Sequence, residues 1–247
     1  MTMQERVAIV TGAARGIGAA TAAVLAQQGA AAVLVDIDLP QAEEAAAVIQ
    51  AQGGRAHAFQ CDVSQPAAVE ALVAAVVAQF GRVDILVNNA GICPRIPLEE
   101  MTEEWFDRII NINLKSVFFL SRAAAEDMKK RQWGRIVNIS STSGRVGGVF
   151  RATVYSATKG GVLAMTKSMA RHYAGDNILI NAIAPGATDT RMFDIDAEAR
   201  DTYIDTVPLK RLAAPEEIAR SIAHLCSEET TWVTGATLDV NGGVVMV

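Results

Sequence analysis

Residues 7–18 have the sequence VAIVTGAARGIG, and this stretch decides the fold. Its apolar, β-branched beginning predicts a buried strand, and its end predicts the first turn of a helix. The connection contains Gly12, Gly16 and Gly18, together with Arg15 and Ile17. A strand that passes through a glycine-rich turn into a helix is typical of the first βα unit of a dinucleotide-binding sheet.

The same alternation of short β-branched runs and longer Ala-rich runs continues along the chain, which predicts repeated βα units and a parallel sheet. Strands are predicted at 7–11, 32–36, 55–61, 85–88, 135–140, 178–184 and 237–240. Amphipathic helices are predicted at 16–28, 41–51, 65–80, 103–131, 155–173 and 215–225. We therefore expect one α/β domain over residues 1–247, a Rossmann-type, doubly wound parallel sheet of about seven strands with helices on both faces.

Residues 186–210 depart from this regular spacing, because they contain scattered charges and no clear strand. Long irregular segments in compact domains are often lids or binding loops. We expect this segment to be a substrate loop.

Composition excludes several classes of protein. The net charge of -5 and the absence of a long Lys/Arg run argue against nucleic-acid and anionic-membrane partners. The sequence has no signal-peptide pattern and no apolar stretch of membrane-spanning length, so a cytoplasmic protein is expected. Its 3 cysteines form no CxxC pair and suit reduced thiols, and its 3 histidines lack metal-ligand spacing, so no metal site is expected.

The glycine turn suggests a phosphate site, because a helix N-terminus offers free N–H donors and a favourable dipole to an anion. Taken alone, the pattern also fits an ordinary turn. Asp36 strengthens the nucleotide hypothesis, since it ends the second predicted strand, where a carboxylate can accept hydrogen bonds from the adenosine ribose. Its charge would repel a 2′-phosphate and favours NAD, although Arg15 nearby could hold that phosphate and favour NADP.

A possible catalytic group lies in YSATK, residues 155–159. On a helix the i, i+4 spacing places the phenol of Tyr155 and the ammonium of Lys159 on one face. A nearby cation favours the phenolate form, which would adapt a phenol to proton transfer near neutral pH. Upstream, the predicted strand at 135–140 ends at Ser140 and is followed by Ser141, and a hydroxyl at this strand end could hold a substrate oxygen.

With these motifs assembled, the sequence resembles the short-chain dehydrogenase/reductase family over almost its whole length. TGAARGIG matches the family's cofactor turn, and NNAG, which ends with Asn89, Ala90 and Gly91, matches the motif after its fourth strand. By the same resemblance, the adenine pocket contains Asp62 and Val63, and the nicotinamide carboxamide turn contains Pro185, Gly186, Thr188 and Thr190.

The resemblance also implies a catalytic tetrad of Asn113, Ser141, Tyr155 and Lys159. Tyr155 would be the acid/base, and Lys159 would lower its pKa and bind the nicotinamide ribose. Ser141 would polarise the substrate oxygen, and Asn113 would hold a helix kink and a water. Ser141 and Tyr155 are 14 positions apart, whereas 13 is frequent in the family, so the loop between them is expected to reshape the substrate pocket.

The segments that line the family's pocket contain four arginines here, namely Arg95, Arg145, Arg151 and Arg191. They could clamp an anionic group, or they could be solvated loop residues. The other pocket residues expected by resemblance are Cys93, Ser143, Val149 and Met192, and the apolar members suit a small hydrophobic alcohol or ketone.

The leading hypothesis is an enzyme that transfers a hydride between NAD(H) and a secondary alcohol or ketone, a small-molecule substrate. The alternative within this class is a 3-oxoacyl-(acyl-carrier-protein) reductase, against which Asp36 counts, because many such reductases use NADPH. A non-catalytic NAD(H)-binding protein is the third hypothesis. Members of the family are commonly tetramers, so a homotetramer is expected.

Overall fold

A computed structural model describes residues 3–148, 151–193 and 196–247. In this part of the chain, seven parallel strands form one sheet in the order β3-β2-β1-β4-β5-β6-β7. The strands are β1 Val7–Thr11, β2 Ala31–Asp36, β3 Arg55–Gln60, β4 Ile85–Asn88, β5 Gly134–Ile139, β6 Ile178–Pro185 and β7 Thr237–Val240. The expected doubly wound α/β sheet is confirmed, and its predicted strand bounds differ by at most one residue at either end.

Helices cover both faces of the sheet. They are α1 Gly16–Gln27, α2 Leu39–Ala51, α3 Pro66–Phe80, α4 Glu103–Ile110, α5 Ser116–Lys129, α6 Ser143–Val146, α7 Thr153–Tyr173, α8 Ala197–Thr206 and α9 Pro215–Cys226. One apolar layer joins the sheet to α1, α2 and α9, and a second joins it to α3, α5 and α7. Because central strands such as β1 are buried on both faces, they are continuously apolar rather than alternating.

Local signals explain several helix ends. Asp38 caps α2 by accepting a hydrogen bond from the Gln41 backbone N–H, and Pro66 begins α3 at a position where no N–H donor is needed. The predicted helix at 103–131 is interrupted by a π-helical segment, Asn111–Lys115, between α4 and α5. Such π-bulges are frequent at functional sites.

The strand order indicates where a ligand would bind on the sheet. Strand β1 pairs with β2 on one side and with β4 on the other, so the direction of winding reverses between β1 and β4. Loops diverge at this point and leave a crevice beyond the carboxyl ends of the strands, where open α/β sheets bind their ligands. Residues 186–210, expected to be irregular, contain the 3-10 turn Arg191–Phe193 and helix α8.

Candidate active site

The glycine turn lies at the crevice between β1 and β4. Gly12 has a φ of +63°, and a Cβ on this residue would lie 2.9 Å from the Ala90 Cα. A Cβ on Gly18 would overlap the Gly12 carbonyl oxygen. Among the described residues, no side chain caps the first turn of α1 and no acidic residue lies in it. The turn therefore presents backbone N–H donors to the crevice, which fits the pyrophosphate of a dinucleotide.

The NNAG segment fastens this turn to the end of β4. The Asn89 Nδ2 donates to the carbonyl oxygens of Thr11 and Gly12 at 2.9 and 3.0 Å. The backbone N–H groups of Asn89 and Ala90 both donate to the Thr11 hydroxyl at 3.1 Å. The two strand ends that frame the crevice are thus tied together by hydrogen bonds between the Asn89 and Thr11 side chains and main-chain groups.

Carboxylates lie at the adenosine end of the crevice. Asp36 ends β2, and its carboxylate accepts hydrogen bonds from the backbone N–H groups of Ala14, at 3.0 Å, and of Asp38, at 3.1 Å. The exposed Arg15 side chain donates to the Gln41 side-chain oxygen at 3.0 Å. Asp62 and Val63 also line the crevice. The carboxylate and the guanidinium that bear on the choice between NAD and NADP therefore lie at the same end.

Residues that follow β6 line the other side of the glycine turn. Thr188 and Thr190 bind the preceding turn, with the Thr188 hydroxyl donating to the Gly186 carbonyl and the Thr190 hydroxyl to the Thr188 carbonyl. The methyl group of Thr190 would lie 3.2 Å from a Cβ on Gly16. The segment that follows Pro185 thus packs against the glycine turn.

The YSATK segment lies in the first turns of α7, facing the end of β5. The Tyr155 and Ser141 side chains share a hydrogen bond, and both residues line the crevice. The Lys159 Nζ lies 5.6 Å from the centre of the Tyr155 ring and donates to the Ile139 carbonyl at 2.7 Å. The two serines differ, because the buried Ser140 hydroxyl donates to the Lys159 carbonyl and secures β5 to α7.

In the protein without a bound ligand, burial has the largest effect on the pKa values of Tyr155 and Lys159. Removal from water raises the pKa of Tyr155 to about 12, against the smaller opposing effects of the Ser141 hydrogen bond and the Arg95 charge. Removal from water also lowers the pKa of Lys159 to about 8. The Tyr155 shift is opposite to the lowered pKa expected from the sequence, because desolvation penalises the phenolate. The phenol therefore keeps its proton at neutral pH, as a proton donor to a carbonyl oxygen must.

Asn113 lies in the π-helical segment and is completely buried. Its Nδ2 donates to the Ile92 carbonyl at 2.8 Å, and its Oδ1 accepts from the Ile92 N–H at 2.9 Å. The Asn113 side chain therefore bonds both the N–H and the carbonyl of Ile92, the residue immediately after NNAG. Asn113 thus fixes the loop after β4 and lies behind the crevice rather than on its surface.

These elements enclose a cleft of about 1040 Å³. Most of the residues expected to bind the cofactor line it, and Gly18, which packs behind the turn, does not. Pockets for single drug-sized ligands span roughly 300–1,000 Å³. The cleft therefore has room for a dinucleotide together with a small substrate.

The expected substrate residues divide into two groups. Cys93, Arg95, Ser143 and Met192 line the cleft, as does Arg191. Among the residues that the structure describes, the lining includes neither Arg145 nor Arg151, which corrects the sequence-based expectation. Val149 lies outside the described residues.

The contacts of Arg145 and the backbone of Arg151 explain why neither residue lines the cleft. Arg145 forms a two-pronged ion pair with Asp239 on β7, with N–O distances of 3.1 and 2.9 Å, so its charge is directed to the edge of the sheet. Arg151 is exposed and has a φ of +58° immediately before α7. Neither a partner 94 residues away nor a left-handed backbone is visible in the local sequence.

Several lining residues were not predicted. They are Arg108 on α4, Thr202, Tyr203 and Thr206 on α8, and Val244 and Val245 near the C-terminus. A signal for α8 was present, since Asp196 precedes the helix and accepts a hydrogen bond from the Ala199 N–H at 2.8 Å. The C-terminal valines carry no local signal, because the return of the chain to the cleft depends on the whole sheet.

Helices with the length and apolar character needed to cross a membrane were not found in the part of the chain that the structure describes. Clusters of three or more His, Cys, Asp or Glu side chains suited to a metal ion were also not found there.

Comparisons with known proteins agree with this geometry. A family described as enoyl-(acyl carrier protein) reductase matches residues 12–245. The chain is 38% identical over 247 residues to the 3-oxoacyl-(acyl-carrier-protein) reductase of Thermotoga maritima, with 100% of both chains covered. It is 43% identical over 245 residues to the cis-4-hydroxycyclohexanecarboxylate dehydrogenase of Sinomonas cyclohexanicum, with 98% of both covered.

A solved structure shares the architecture. This short-chain alcohol dehydrogenase from Sinorhizobium meliloti superimposes with a TM-score of 0.94 at 34% identity, covering 98% of this chain and 97% of the other. Family, relatives and structure thus agree on the fold and on the class of enzyme. The chain belongs to the short-chain dehydrogenase/reductase family and is an oxidoreductase.

Proposed function

We propose that this enzyme interconverts a secondary alcohol and a ketone with NAD(H) as the cofactor. The observation that carries the proposal is the meeting of the Tyr155 and Ser141 hydroxyls in a cleft lined by the glycine turn. When bound, the nicotinamide supplies or accepts the hydride. The chain's own residues bind and orient the reactants and move the accompanying proton.

The roles of the residues follow from their contacts. In the reductive direction, Tyr155 donates its phenolic proton to the carbonyl oxygen while the Ser141 hydroxyl holds that oxygen by a hydrogen bond. Lys159, buried beneath Tyr155, places a positive charge close to the phenolate that forms. Asn113 holds the loop after β4 in place, and Ile92 and Cys93 of that loop line the cleft.

We infer a preference for NAD over NADP from the position of Asp36. Its carboxylate is held at the end of β2 by two backbone N–H groups, so it cannot easily turn away from a nearby 2′-phosphate. Like charges brought together in a binding site cost several kcal/mol, and each 1.4 kcal/mol corresponds to a tenfold change in affinity. Arg15 provides some compensation, although its guanidinium contacts Gln41.

The preference is tested by comparing kcat/KM for NADH and NADPH. The unaltered enzyme should favour NADH, and Asp36→Ala should move the preference toward NADPH by roughly tenfold or more. Asp38→Ala is the matched control, since this carboxylate caps α2 nearby and should leave the preference unchanged. A clear advantage for NADPH in the unaltered enzyme would contradict the proposal.

A second candidate function is 3-oxoacyl-(acyl-carrier-protein) reduction, which full-length relatives with that name favour. A panel of small ketones, aldehydes and oxoacyl thioesters, assayed by NADH oxidation, separates the two activities. Faster turnover of thioesters would favour this alternative. Cofactor binding without turnover on the whole panel would instead support a non-catalytic NAD(H)-binding protein.

We also propose that residues 1–247 act as one Rossmann unit, with 186–210 as the substrate loop. Helix α8 and the turn Arg191–Phe193 support this role, because Tyr203 and Phe193 both line the cleft and their rings are 5.1 Å apart. Deletion of α8 should raise KM for the substrate far more than the dissociation constant for NADH.

A homotetramer in the cytoplasm completes the proposal. Trp232 is 97% exposed and Met246 is 80% exposed, and both lie in segments flanking the edge strand β7. Exposed aromatic and apolar side chains of this size are typical of interfaces. The free thiols Cys61, Cys93 and Cys226 are compatible with a reducing compartment. Sedimentation should give a tetramer that Trp232→Arg weakens, and a stable monomer would refute the assembly.

A further inference from the structure

Three arginines from separate parts of the chain line the cleft. Arg95 follows β4, Arg108 lies on α4, and Arg191 begins the 3-10 turn Arg191–Phe193. Convergence of arginines from three segments on one cleft depends on the tertiary structure. Guanidinium groups are the side chains best suited to bind carboxylates, because their planar N–H donors match the two oxygens.

Of these three arginines, Arg95 is the one whose charge acts on the pKa of the catalytic Tyr155. Its Nη2 donates to the Met192 carbonyl at 3.2 Å, which directs the side chain across the cleft toward the substrate loop. Burial raises the pKa values of Tyr155 and Cys93, and the positive charge of Arg95 acts to lower both. Arg95 therefore lies within electrostatic reach of the phenol that transfers the proton.

Charged side chains of both signs line the cleft. Within the described part of the lining, the carboxylates are Asp36 and Asp62, at the adenosine end, and Asp189. Asp189 is paired with Arg200 at 3.1 Å. The cations of the described lining are Arg15, at the adenosine end, and Arg95, Arg108, Lys159 and Arg191, so they outnumber the carboxylates. Clefts lined by one sign of charge attract ligands of the opposite sign.

The lining also contains apolar side chains. Val146, Met192 and Phe193 all line the cleft, and the guanidinium of Arg95 lies 6.0 Å from the centre of the Phe193 ring. Apolar side chains and a guanidinium in one cleft suit a ligand that carries both an apolar body and an anionic group.

We propose that the substrate is a hydroxy or oxo carboxylic acid with an apolar body, whose carboxylate binds Arg95 while its hydroxyl or carbonyl lies at Tyr155 and Ser141. Arg108 and Arg191 attract the anion to the cleft and contribute less to the bound state. This inference rests on the proposed dehydrogenase function and adds the class of substrate. Arg95 is thus the residue that determines specificity.

The test compares each acid with a neutral partner of nearly equal size. Reduction of 4-oxopentanoate and of 4-oxocyclohexanecarboxylate is measured against reduction of their primary amides, with NADH and with NADPH. The unaltered enzyme should prefer the acid over the amide by about tenfold or more in kcat/KM, mainly through KM, as expected for binding that is equal in ground and transition states. Raising the salt concentration should reduce that ratio.

Variants assign the preference to a residue. Arg95→Gln should lower the acid-to-amide ratio by about tenfold, and Arg95→Lys should restore part of it, since charge is retained and the planar fork is lost. Arg108→Gln and Arg191→Gln should lower the ratio by a few fold. Arg220→Gln, at an exposed position on α9 outside the cleft lining of the described residues, is the matched control and should leave the ratio unchanged.

Each outcome has one meaning. Equal use of acids and amides by the unaltered enzyme overturns the inference even if Arg95→Gln fails to fold. An equal loss on both substrates in Arg95→Gln also overturns it. Reduction of neutral ketones without any preference for acids leaves the dehydrogenase proposal intact. Failure to reduce any ketone with either cofactor counts against the dehydrogenase proposal itself.

Discussion

The two ends of the cleft are held in place by different kinds of contact. At the glycine turn, Asn89 binds main-chain carbonyls and Asp36 accepts main-chain N–H groups. At the substrate end, two long arginine side chains make the connections, since Arg95 donates to the Met192 carbonyl and Arg145 pairs with the Asp239 carboxylate of β7. Short side chains bound to the main chain at strand ends fix one geometry that most members of a fold can share. Contacts made by long side chains can be exchanged singly, so the substrate end can change while the cofactor end is retained.

Tyr155 lines the cleft between its cofactor and substrate ends, and substitution of Tyr155 should have the largest effect on kcat. Tyr155→Phe removes the proton donor with little change in volume, so kcat should fall by about 10²–10⁴-fold, the usual contribution of general acid–base catalysis. NADH binding, followed by fluorescence titration, should change by less than about twofold, because the cofactor end is intact. Tyr173→Phe, on the same helix, is the control. Undiminished turnover in Tyr155→Phe would disprove the assigned role.

The backbone contacts at the cofactor end are tested by Gly18→Ala. Its methyl group would overlap the Gly12 carbonyl oxygen, so the free energy of unfolding should fall by about 1–3 kcal/mol and NADH should bind more weakly. Urea denaturation and cofactor titration measure the two effects. Gly175→Ala is the matched control, because a Cβ there meets no other described atom within 4 Å. Equal stability of the two variants would show that the turn adjusts more easily than the contacts imply.

The ion pair at the substrate end should have a smaller effect. A double-mutant cycle with Arg145→Met and Asp239→Asn should give a coupling energy of about 1 kcal/mol in unfolding, because both side chains are mostly buried. Each single variant should lower kcat by a few fold, since α6 connects Ser141 to this pair. The exposed pair Arg122 and Glu70 provides the control, with an expected coupling of about 0–0.5 kcal/mol. A coupling near zero for Arg145 and Asp239 would remove their positioning role.

The smallest expected effect is on the ultraviolet absorbance that accompanies tyrosine ionisation. This measurement tests whether Tyr155 is buried. All 3 tyrosines have a raised pKa because they are partly or fully withdrawn from water. In ultraviolet difference spectra of the cofactor-free protein, tyrosinate should form at higher pH than in urea, where tyrosine titrates at about 10. Tyr155→Phe should remove one of the three groups. A tyrosinate that forms near neutral pH and is lost in Tyr155→Phe would contradict the raised pKa.

The same shifts predict how stability depends on pH. A tyrosine with a raised pKa binds its proton more tightly in the folded state than in the unfolded state. Its contribution to the free energy of unfolding is complete below about pH 10 and is lost as the pH rises toward the folded value, about 12 for Tyr155. The lowered pKa of Lys159 acts in the opposite sense between about 8 and 10.5. Alkaline denaturation of Tyr155→Phe should therefore begin at a higher pH than in the unaltered enzyme.

Much of the site was predictable because its residues are set by local pattern. Strand ends at Thr11, Asn88 and Ile139 follow from apolar runs, and parallel strands bring their carboxyl ends to one edge. Tyr155 and Lys159 face the same way because they are one helical turn apart. The catalytic and cofactor assignments remain predictions until the variants are assayed, although the cleft contains the groups that they require.

The features that the sequence did not predict depend mainly on contacts between distant segments. The predicted helix at 103–131 is interrupted where Asn113 pairs with Ile92, a contact between segments 21 residues apart. Helix α8 was missed because its charged sequence has no clear apolar face, although Asp196 marks its beginning. Arg108 was missed because helix periodicity indicates which faces of α4 are polar without indicating which face meets the cleft.

The sequence by itself determined the doubly wound sheet, the glycine turn at its switch point and the pairing of a phenol with an ammonium group on one helix. These features depend on neighbours within a few residues, where sterics and periodicity act directly. The tertiary structure alone decided that Arg145 pairs with β7, that Arg95, Arg108 and Arg191 line one cleft, and that burial raises the pKa of Tyr155. Charge partners and desolvation depend on distant segments being packed together, and a linear sequence contains no measure of that distance.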